Sequence, residues 1–291
     1  MQLSASERSL IFVFYVLLTI AGLACLFPLI HIVSLSISDT HAVASGWVSL
    51  YPIGFSLESY KQLLMGTPIV NAFLNSIQIT AVGVVLSMVF TILAAYPLTR
   101  TYFYGRKLYT FAIVFTLLFG GGLIPTYLTV KELGLLNTYW ALWLPGLVST
   151  FNLLVLRSFM ENIPSELDDA ARIDGCGDWM YLSKIVLPLS MPVLTTLALF
   201  YGVGYWNSFF SVLIYMNETT KYNLSVLVQQ MIQSQTMLAQ MNSSDAADQI
   251  RLTPEEINSA AIMVMVLPIM VVYPFLQKHF VKGVMIGAVK G

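Results

Sequence analysis

The chain has 291 residues and a formal net charge of −1; 57% of its residues are hydrophobic and 10% are charged. Its mean hydropathy is +0.76, whereas about a quarter of the residues in a soluble globular domain are charged. This composition excludes a soluble domain and predicts an integral membrane protein, with no nucleic-acid partner.

Membrane-crossing helices are predicted from the gaps between charged residues, since about 30 Å of hydrocarbon takes roughly 20 apolar residues to cross. Six uncharged windows qualify: 9–38, 62–99, 108–130, 133–156, 185–217 and 257–277. A further window, 222–244, is rich in Asn, Gln, Ser and Thr, which is too polar for lipid, and predicts a helix in a loop. We expect an all-α polytopic membrane protein with six transmembrane helices in a single domain, 1–291.

The orientation is predicted from Lys and Arg, which are retained on the cytoplasmic side of a membrane. With the N-terminus inside, ten basic residues fall on the cytoplasmic side and four outside. Both termini are therefore predicted in the cytoplasm, and the longest outer segments are about 40–67 and 217–256. The first window is interpreted as an anchor, because its apolar run is far longer than that of a signal peptide.

The sequence contains no pattern typical of a catalytic or metal site. It has no Gly-Lys dipeptide for a phosphate-binding loop and no HExxH, CxxC or GxSxG motif. The six windows contain no Asp, Glu, Lys or Arg, on which ion-coupled carriers usually rely. We therefore predict no catalytic residue, no metal and no cofactor, and we expect the driving energy to come from a partner.

The densest charge lies in "SELDDAARIDG", in the loop at about 160–187. Ser165 and Asp168 have the spacing of a capping box, and the acidic first turn suits the helix dipole. Gly175 predicts a helix end in the left-handed conformation. Asp178 then predicts the cap of a second short helix.

One face of the predicted acidic helix carries Leu167, Ala170, Ala171 and Asp174, which follow the i, i+3, i+4, i+7 pattern. The two alanines make this face small and suited to close approach by another surface. A solvated connector between two spans is the alternative, and the spacing leaves both interpretations open.

A longer pattern includes this helix: Asp169-Ala170-Ala171, three residues, Gly175, nine residues, Ile185, one residue, Leu187-Pro188. It resembles the EAA signature of permease subunits of bacterial ATP-binding-cassette importers, with Asp169 replacing a glutamate and keeping its charge. The likeness extends over most of the chain, through "NSIQIT…LAAYPLTR", "GGGLIPTYLTVKELGLLNTYWALWLP", "RSFMENIPSELDDAARIDG" and "FVKGVMIGAVKG". Together these segments resemble the carbohydrate-uptake branch, specifically the smaller, six-span permease comparable to that of the maltose transporter. Within that branch the ending resembles permeases for complex oligosaccharides, including aldouronates and pectin fragments.

The resemblance implies a type I importer permease fold in the bacterial cytoplasmic membrane, moving an oligosaccharide by alternating access. It implies a second homologous permease subunit, two ATPase subunits that bind and hydrolyse ATP, and an extracellular solute-binding protein that touches 217–256. The Asn- and Gln-rich helix of this outer segment fits a self-packed lid over the pore equally well. The chain itself is then not an enzyme. The alternative is a self-sufficient channel or an ion-coupled secondary carrier.

The resemblance also implies site residues. The EAA helix docks on the ATPase, so the coupling residues are Glu166, Asp169, Ala170, Ala171 and Gly175. The tail "GAVKG" reaches between the ATPases.

A substrate pathway is predicted along the fifth window. Tyr201, Tyr205 and Phe209 recur every four residues, with Trp206 and Asn207 beside them. This face could stack on sugar rings while Asn207 hydrogen-bonds their hydroxyls. Packing of the aromatic face on the sister permease or on lipid is the favoured alternative.

In the third window, Gly120–Gly122 and Pro125 interrupt a helix of marginal length. The interruption predicts a bend or a lumen-lining segment. Close helix packing by small residues explains it equally well.

Overall fold

The computed structural model describes residues 5–241 and 254–288, and the side chains of 10–234 and 255–274. These residues contain no strand, so the all-α prediction is confirmed for them. Two short stretches depart from α geometry, a π-helical turn at Leu182–Val186 and a 3-10 turn at Thr219–Lys221. The α-helices, in chain order, are α1 (Ala5–Ser36), α2 (Thr40–Ala44), α3 (Glu58–Gly66), α4 (Ile69–Thr99), α5 (Arg106–Leu118), α6 (Leu123–Glu132), α7 (Trp140–Trp143), α8 (Thr150–Glu161), α9 (Ser165–Ile173), α10 (Asp178–Tyr181), α11 (Leu187–Leu189), α12 (Met191–Trp206), α13 (Phe209–Tyr215), α14 (Leu224–Met241) and α15 (Pro254–Ala288).

Three of these helices are long and apolar enough to cross a membrane: α1 over Leu10–Ser36, α4 over its whole length, and α15 over Glu255–Pro274. Two helix pairs pass the same test only when taken together, and both are sharply bent: α5 with α6 at 114°, and Asp178–Leu189 with α12 at 81°. Each is either a broken span or a re-entrant loop. The described residues therefore give up to five spans by length and composition, and the predicted count of six is not reproduced. The predicted loop helix at 222–244 is present as α14.

The predicted fourth span, 133–156, is not one helix, because it is divided between α7 and α8. Its first residues, 133–139, are not helical, and Gly134 and Asn137 have positive φ angles there, of 68° and 59°. Pro145 lies in the break between α7 and α8, where it removes a backbone donor. Ser149 then caps α8, with its hydroxyl oxygen accepting from the N–H of Asn152 at 3.4 Å. An uncharged window indicates that a segment is hydrophobic, but it does not show that the segment forms one continuous helix.

The glycines Gly120–Gly122 lie between α5 and α6, where the chain turns by 114°. Gly122 has a φ of 81°, which glycine adopts at no steric cost. Apart from its neighbours along the chain, no described residue would lie within 4 Å of a Cβ atom added at Gly120 or Gly121. The structure therefore supports the bend and gives these two glycines no close-packed neighbour.

The chain divides into two compact units. The first comprises Met1–Val70 with Leu227–Leu267, and the second comprises Asn71–Val226 with Pro268–Gly291. In the first unit, the fully buried Glu256 accepts hydrogen bonds from Thr40 and Ser59, at 3.2 and 3.3 Å. The predicted site residues all lie in the second unit.

The long helix α4 contributes to two hydrophobic clusters of the second unit. Near its C-terminal end it packs with α8, α9 and α10 through a cluster that includes Ala95, Leu156 and Ala171. Nearer its middle, Ile79 belongs to a second cluster with residues of α12 and α13, among them Tyr201. The acidic loop and the aromatic helix are thus both positioned against α4.

Candidate functional site

The acidic helix α9 begins at Ser165, with Pro164 at the N-cap and no side chain bonded to the helix end. The predicted capping box is therefore wrong, because Ser165 is the first helical residue and not the cap. The carboxylate of Asp168 instead pairs with Arg100. Asp178 is likewise the first residue of α10 and does not cap it.

The C-terminal end of α9 is as predicted. Gly175 has a φ of 74°, its N–H donates to the carbonyl of Arg172 at 3.0 Å, and the N–H of Cys176 donates to the carbonyl of Ala171 at 2.8 Å. This is the Schellman arrangement, in which glycine is favoured just after the helix. Among the described residues a Cβ atom at Gly175 would meet nothing within 4 Å, so the backbone conformation, and not packing, favours glycine here.

The two alanines of α9 differ in their surroundings. Ala171 is only 7% exposed and packs in the chain's own core, whereas Glu166, Asp169 and Ala170 are exposed. The expectation that both alanines face outward is therefore wrong for Ala171. Ile173, at the helix end, is 87% exposed, so the outward surface combines acidic groups with a large apolar side chain.

Arg100, in the turn after α4, holds the first turn of α9. Its guanidinium lies 3.2 Å from the carboxylate of Asp168 and donates to the hydroxyl of Tyr96 at 2.8 Å. The same group lies over the rings of Tyr96 and Tyr181, at 4.4 and 4.7 Å from their centroids. Only 13% of the Arg100 side chain is exposed, so this contact is far less solvated than a surface ion pair.

A second, more exposed set of contacts joins α9 to α10. Arg172 lies 3.4 Å from Asp168 and 3.6 Å from Asp178. The hydroxyl of Tyr102 donates to Asp178 at 2.8 Å. Burial and this hydrogen bond raise the pKa of Tyr102.

A polar cavity of about 490 Å³ lies beside α9. Its lining includes the acidic Asp168 and Asp169 and the basic Arg100 and Arg106. Arg106 forms an ion pair with Glu161 at the end of α8. The cavity therefore carries both signs of charge, with the predicted coupling residue Asp169 at its wall.

The aromatic residues of α12 contact their own chain. Tyr201 and Tyr205 are 6% and 9% exposed. The Tyr201 hydroxyl lies 2.7 Å from that of Thr91, and the Tyr205 hydroxyl lies 2.8 Å from that of Ser87. Both partners are on α4, so these tyrosines join α12 to α4 instead of presenting a stacking face.

The other predicted pathway residues have different surroundings. Trp206 is 8% exposed and meets the ring of Phe73 edge to face, Phe209 is half-buried, and Asn207 is exposed. Trp206 also lines an apolar groove of about 430 Å³ between α4, α12 and the Pro268–Tyr273 part of α15. Its lining lacks the convergent polar groups of a carbohydrate site.

The segment after α13 is fastened to the N-terminal part of α4 by side-chain amides. Asn75 donates from Nδ2 to the carbonyls of Thr220 and Tyr222, at 2.8 and 2.9 Å, and accepts from the Tyr139 hydroxyl at 3.0 Å. The more exposed Asn71 also donates to Thr220, at 2.7 Å. These hydrogen bonds hold the backbone of the segment after α13 against α4.

Two residues of these contacts, Arg100 and Asn75, were not among the predicted site residues. Arg100 is the first charged residue after the uncharged window 62–99, which is the one signal that marks it. Asn75 is a polar residue inside the same window. Their partners lie far away in sequence, so no local spacing identifies them.

Comparison with known proteins gives consistent matches. Residues 4–286 match the family described as "Binding-protein-dependent transport system inner membrane component". The polygalacturonan/rhamnogalacturonan transport system permease protein YtcP of Bacillus subtilis (strain 168) is 42% identical, over 95% of this chain and 96% of its own. Protein LplC of the same organism is 40% identical, over 93% and 91%.

A solved structure has the same fold. The chain is similar to one from a bacterial ABC transporter involved in the import of the acidic polysaccharide alginate, with a TM-score of 0.86 and 31% identity, over 96% of this chain and 99% of that chain.

Proposed function

The chain belongs to the family of inner-membrane components of binding-protein-dependent transport systems, and we propose that it is the oligosaccharide-moving permease subunit of an ATP-driven importer. The match to permeases over almost the whole chain carries this proposal. The chain is embedded in the membrane. ATP binding and hydrolysis belong to two partner ATPases, and this chain performs no catalysis.

The substrate we propose is an oligosaccharide that contains uronic acids. The relative YtcP is named for polygalacturonan and rhamnogalacturonan, and the structural relative for the acidic polysaccharide alginate. A second homologous permease would complete the translocation path, and a solute-binding protein would deliver the sugar to the outer segment 217–256. Residues 242–253 of that segment lie outside the described residues.

Both termini are proposed to lie in the cytoplasm, because ten of the fourteen Lys and Arg residues then fall on that side. In this orientation α9 faces the cytoplasm, where ATP is hydrolysed. The C-terminal tail proposed to reach between the ATPases ends outside the described residues.

Within this assembly, α9 is the element proposed to dock on an ATPase. Its exposed Glu166, Asp169 and Ala170 lie near the exposed Ile173, and a charged rim around an apolar anchor is typical of a protein interface. Ala171 and Gly175 contribute differently, because the first packs α9 on the core and the second fixes its end.

The substrate pathway remains a prediction with a narrower basis. Asn207 is exposed and available to sugar hydroxyls, whereas Tyr201 and Tyr205 support α12 from within. If Asn207 lines the pathway, Asn207→Ala will change the relative transport of long and short oligosaccharides without lowering the amount of complex, because the side chain is exposed. Equal effects on every substrate would favour the packing interpretation.

The proposed function is tested by reconstitution. The purified chain alone in liposomes should move no oligosaccharide, whereas the complex with its sister permease, ATPases and binding protein should accumulate sugar only with ATP. Transport by the chain alone, down a gradient or with a cation, would instead support the alternative of a self-sufficient channel or ion-coupled carrier.

A further inference from the structure

The acidic helix α9 is connected to the membrane helices in two different ways. Along the chain, α9 continues through Gly175 into α10 and then α12. The helix α4, by contrast, is far away in sequence, since Asp168 follows Arg100 by 68 positions. Their ion pair at 3.2 Å therefore gives α9 a direct contact with the end of α4 that the covalent path does not provide.

The geometry around Arg100 makes this contact stiff. The guanidinium is stacked on Tyr96 of α4 and on Tyr181 of α10, and these two rings are 8% and 4% exposed. A planar guanidinium held on two buried rings loses little further freedom when it pairs with a carboxylate. Asp168 is thus held against the end of α4 by a side chain that has little freedom of its own.

The helix α4 in turn contacts α12, which bears the predicted pathway residues. Thr91 and Ser87 of α4 bond the hydroxyls of Tyr201 and Tyr205, at 2.7 and 2.8 Å. These partners are buried, where hydrogen bonds are stronger than in water. The contacts from Asp168 through Arg100 to α4 and then to α12 form one continuous series.

We infer that Arg100 is a positioning residue that makes α4 move together with the docking helix α9, so that ATPase movement reaches both α4 and α12. The inference rests on the proposed coupling role of α9. It assigns to Arg100 and Asp168 the coupling of hydrolysis to transport, and it assigns them no contact with the ATPase or the sugar.

The test uses the complete complex in proteoliposomes, with sugar uptake and ATP hydrolysis measured together. Arg100→Gln and Asp168→Asn should each keep ATPase co-purification and ATP hydrolysis but lower the sugar imported per ATP by about fivefold or more, a typical size for coupling between sites. The double variant should be no worse than either single variant, because both remove one contact.

Arg157→Gln is the matched control. The Arg157 side chain is 15% exposed, pairs with Glu161 at 3.0 Å and bonds the Thr110 hydroxyl at 2.6 Å, so it resembles Arg100 in burial and partners but does not contact α9. It should leave the uptake per ATP unchanged.

Three results would overturn the inference. Wild-type uptake per ATP in both Arg100→Gln and Asp168→Asn would remove the transmission role, and an equal loss in Arg157→Gln would make the effect nonspecific. Failure of both variants to assemble would assign the pair to folding. Asp169→Lys, measured in parallel, separates the two proposals: if it transports normally, the docking role of α9 itself fails.

Discussion

The two ends of α4 fasten neighbouring segments by different chemistry. At the C-terminal end, Arg100 holds α9 through an ion pair. At the N-terminal end, Asn75 holds the segment after α13 through its amide, bonded to two backbone carbonyls and one hydroxyl. A carboxylate can be attracted to another positive charge, whereas an amide bonded to backbone fixes one geometry. The difference suggests that the charged end is the one that responds to a partner.

The largest expected effect follows substitution of Gly175, which ends α9, the helix that Arg100 holds. Gly175→Val should abolish transport, because a β-branched residue is strained at a φ of 74° and the helix end changes direction. Gly175→Asn is the matched control, since asparagine tolerates this conformation and its Cβ atom would meet no described residue within 4 Å. ATP-dependent uptake by the reconstituted complex measures both; equal uptake by the two variants would contradict the conformational explanation.

Substitution of Asn75, near the N-terminal end of α4, should lower the stability of the chain. Asn75→Leu leaves two carbonyls and the Tyr139 hydroxyl without this partner, and we expect a loss on the order of 2–3 kcal/mol in the stability of the chain. The control Asn71→Leu removes one exposed bond and should cost less than about 1 kcal/mol. Denaturant unfolding of the purified protein compares the two variants. Equal losses of stability would show that the Asn75 hydrogen bonds contribute no more than the Asn71 bond.

The middle of α4 is tested at Gly83. A Cβ atom there would lie 2.7 Å from the ring of Tyr205, which its bond to Ser87 holds in place. Gly83→Ala should therefore destabilise the chain by about 1–3 kcal/mol, as measured by the same unfolding assay. Gly204→Ala has no atom within 4 Å of the new methyl group and should lack this penalty; an equal loss there would point to a general effect on the helices.

The smallest expected effect is on the pH dependence of stability, through Glu218 in the segment after α13. The Asn137 amide, followed by Lys221, lowers the pKa of Glu218. Its contribution is therefore present above the usual glutamate pKa and is lost as pH falls through the lowered value. The melting temperature of the native chain should exceed that of Glu218→Gln at about pH 6 and approach it near pH 3. A constant difference would argue against the carboxylate contact.

Local rules predicted the parts of the site that depend on neighbouring residues. The end of α9 at Gly175 follows from the conformational freedom of glycine, and the bend at Gly120–Gly122 from the same property. The capping box failed because Pro164 started the helix one residue earlier than the spacing assumed. The span at 133–156 failed because the absence of charge does not reveal the left-handed residues Gly134 and Asn137 or the break at Pro145.

The contacts that connect α9 and α12 to α4 could not be predicted from sequence. Arg100 pairs with Asp168 only because the core brings α4 beside α9, and no periodicity relates these two positions. The tyrosines of α12 were placed correctly on one face, but periodicity does not say what that face meets. In the structure, Tyr201 and Tyr205 meet hydroxyls of α4.

The docking of α9 on an ATPase is tested most directly at Asp169, which is exposed and lines the polar cavity. Reversing its charge should strand a basic partner group, at a cost on the order of 2–5 kcal/mol. Asp169→Lys should therefore lose ATPase co-purification and sugar uptake while the chain still inserts and the sister permease still binds, and Asp169→Glu should retain both activities. Wild-type uptake and co-purification by Asp169→Lys would contradict the coupling role of α9 and leave it as a connector between spans.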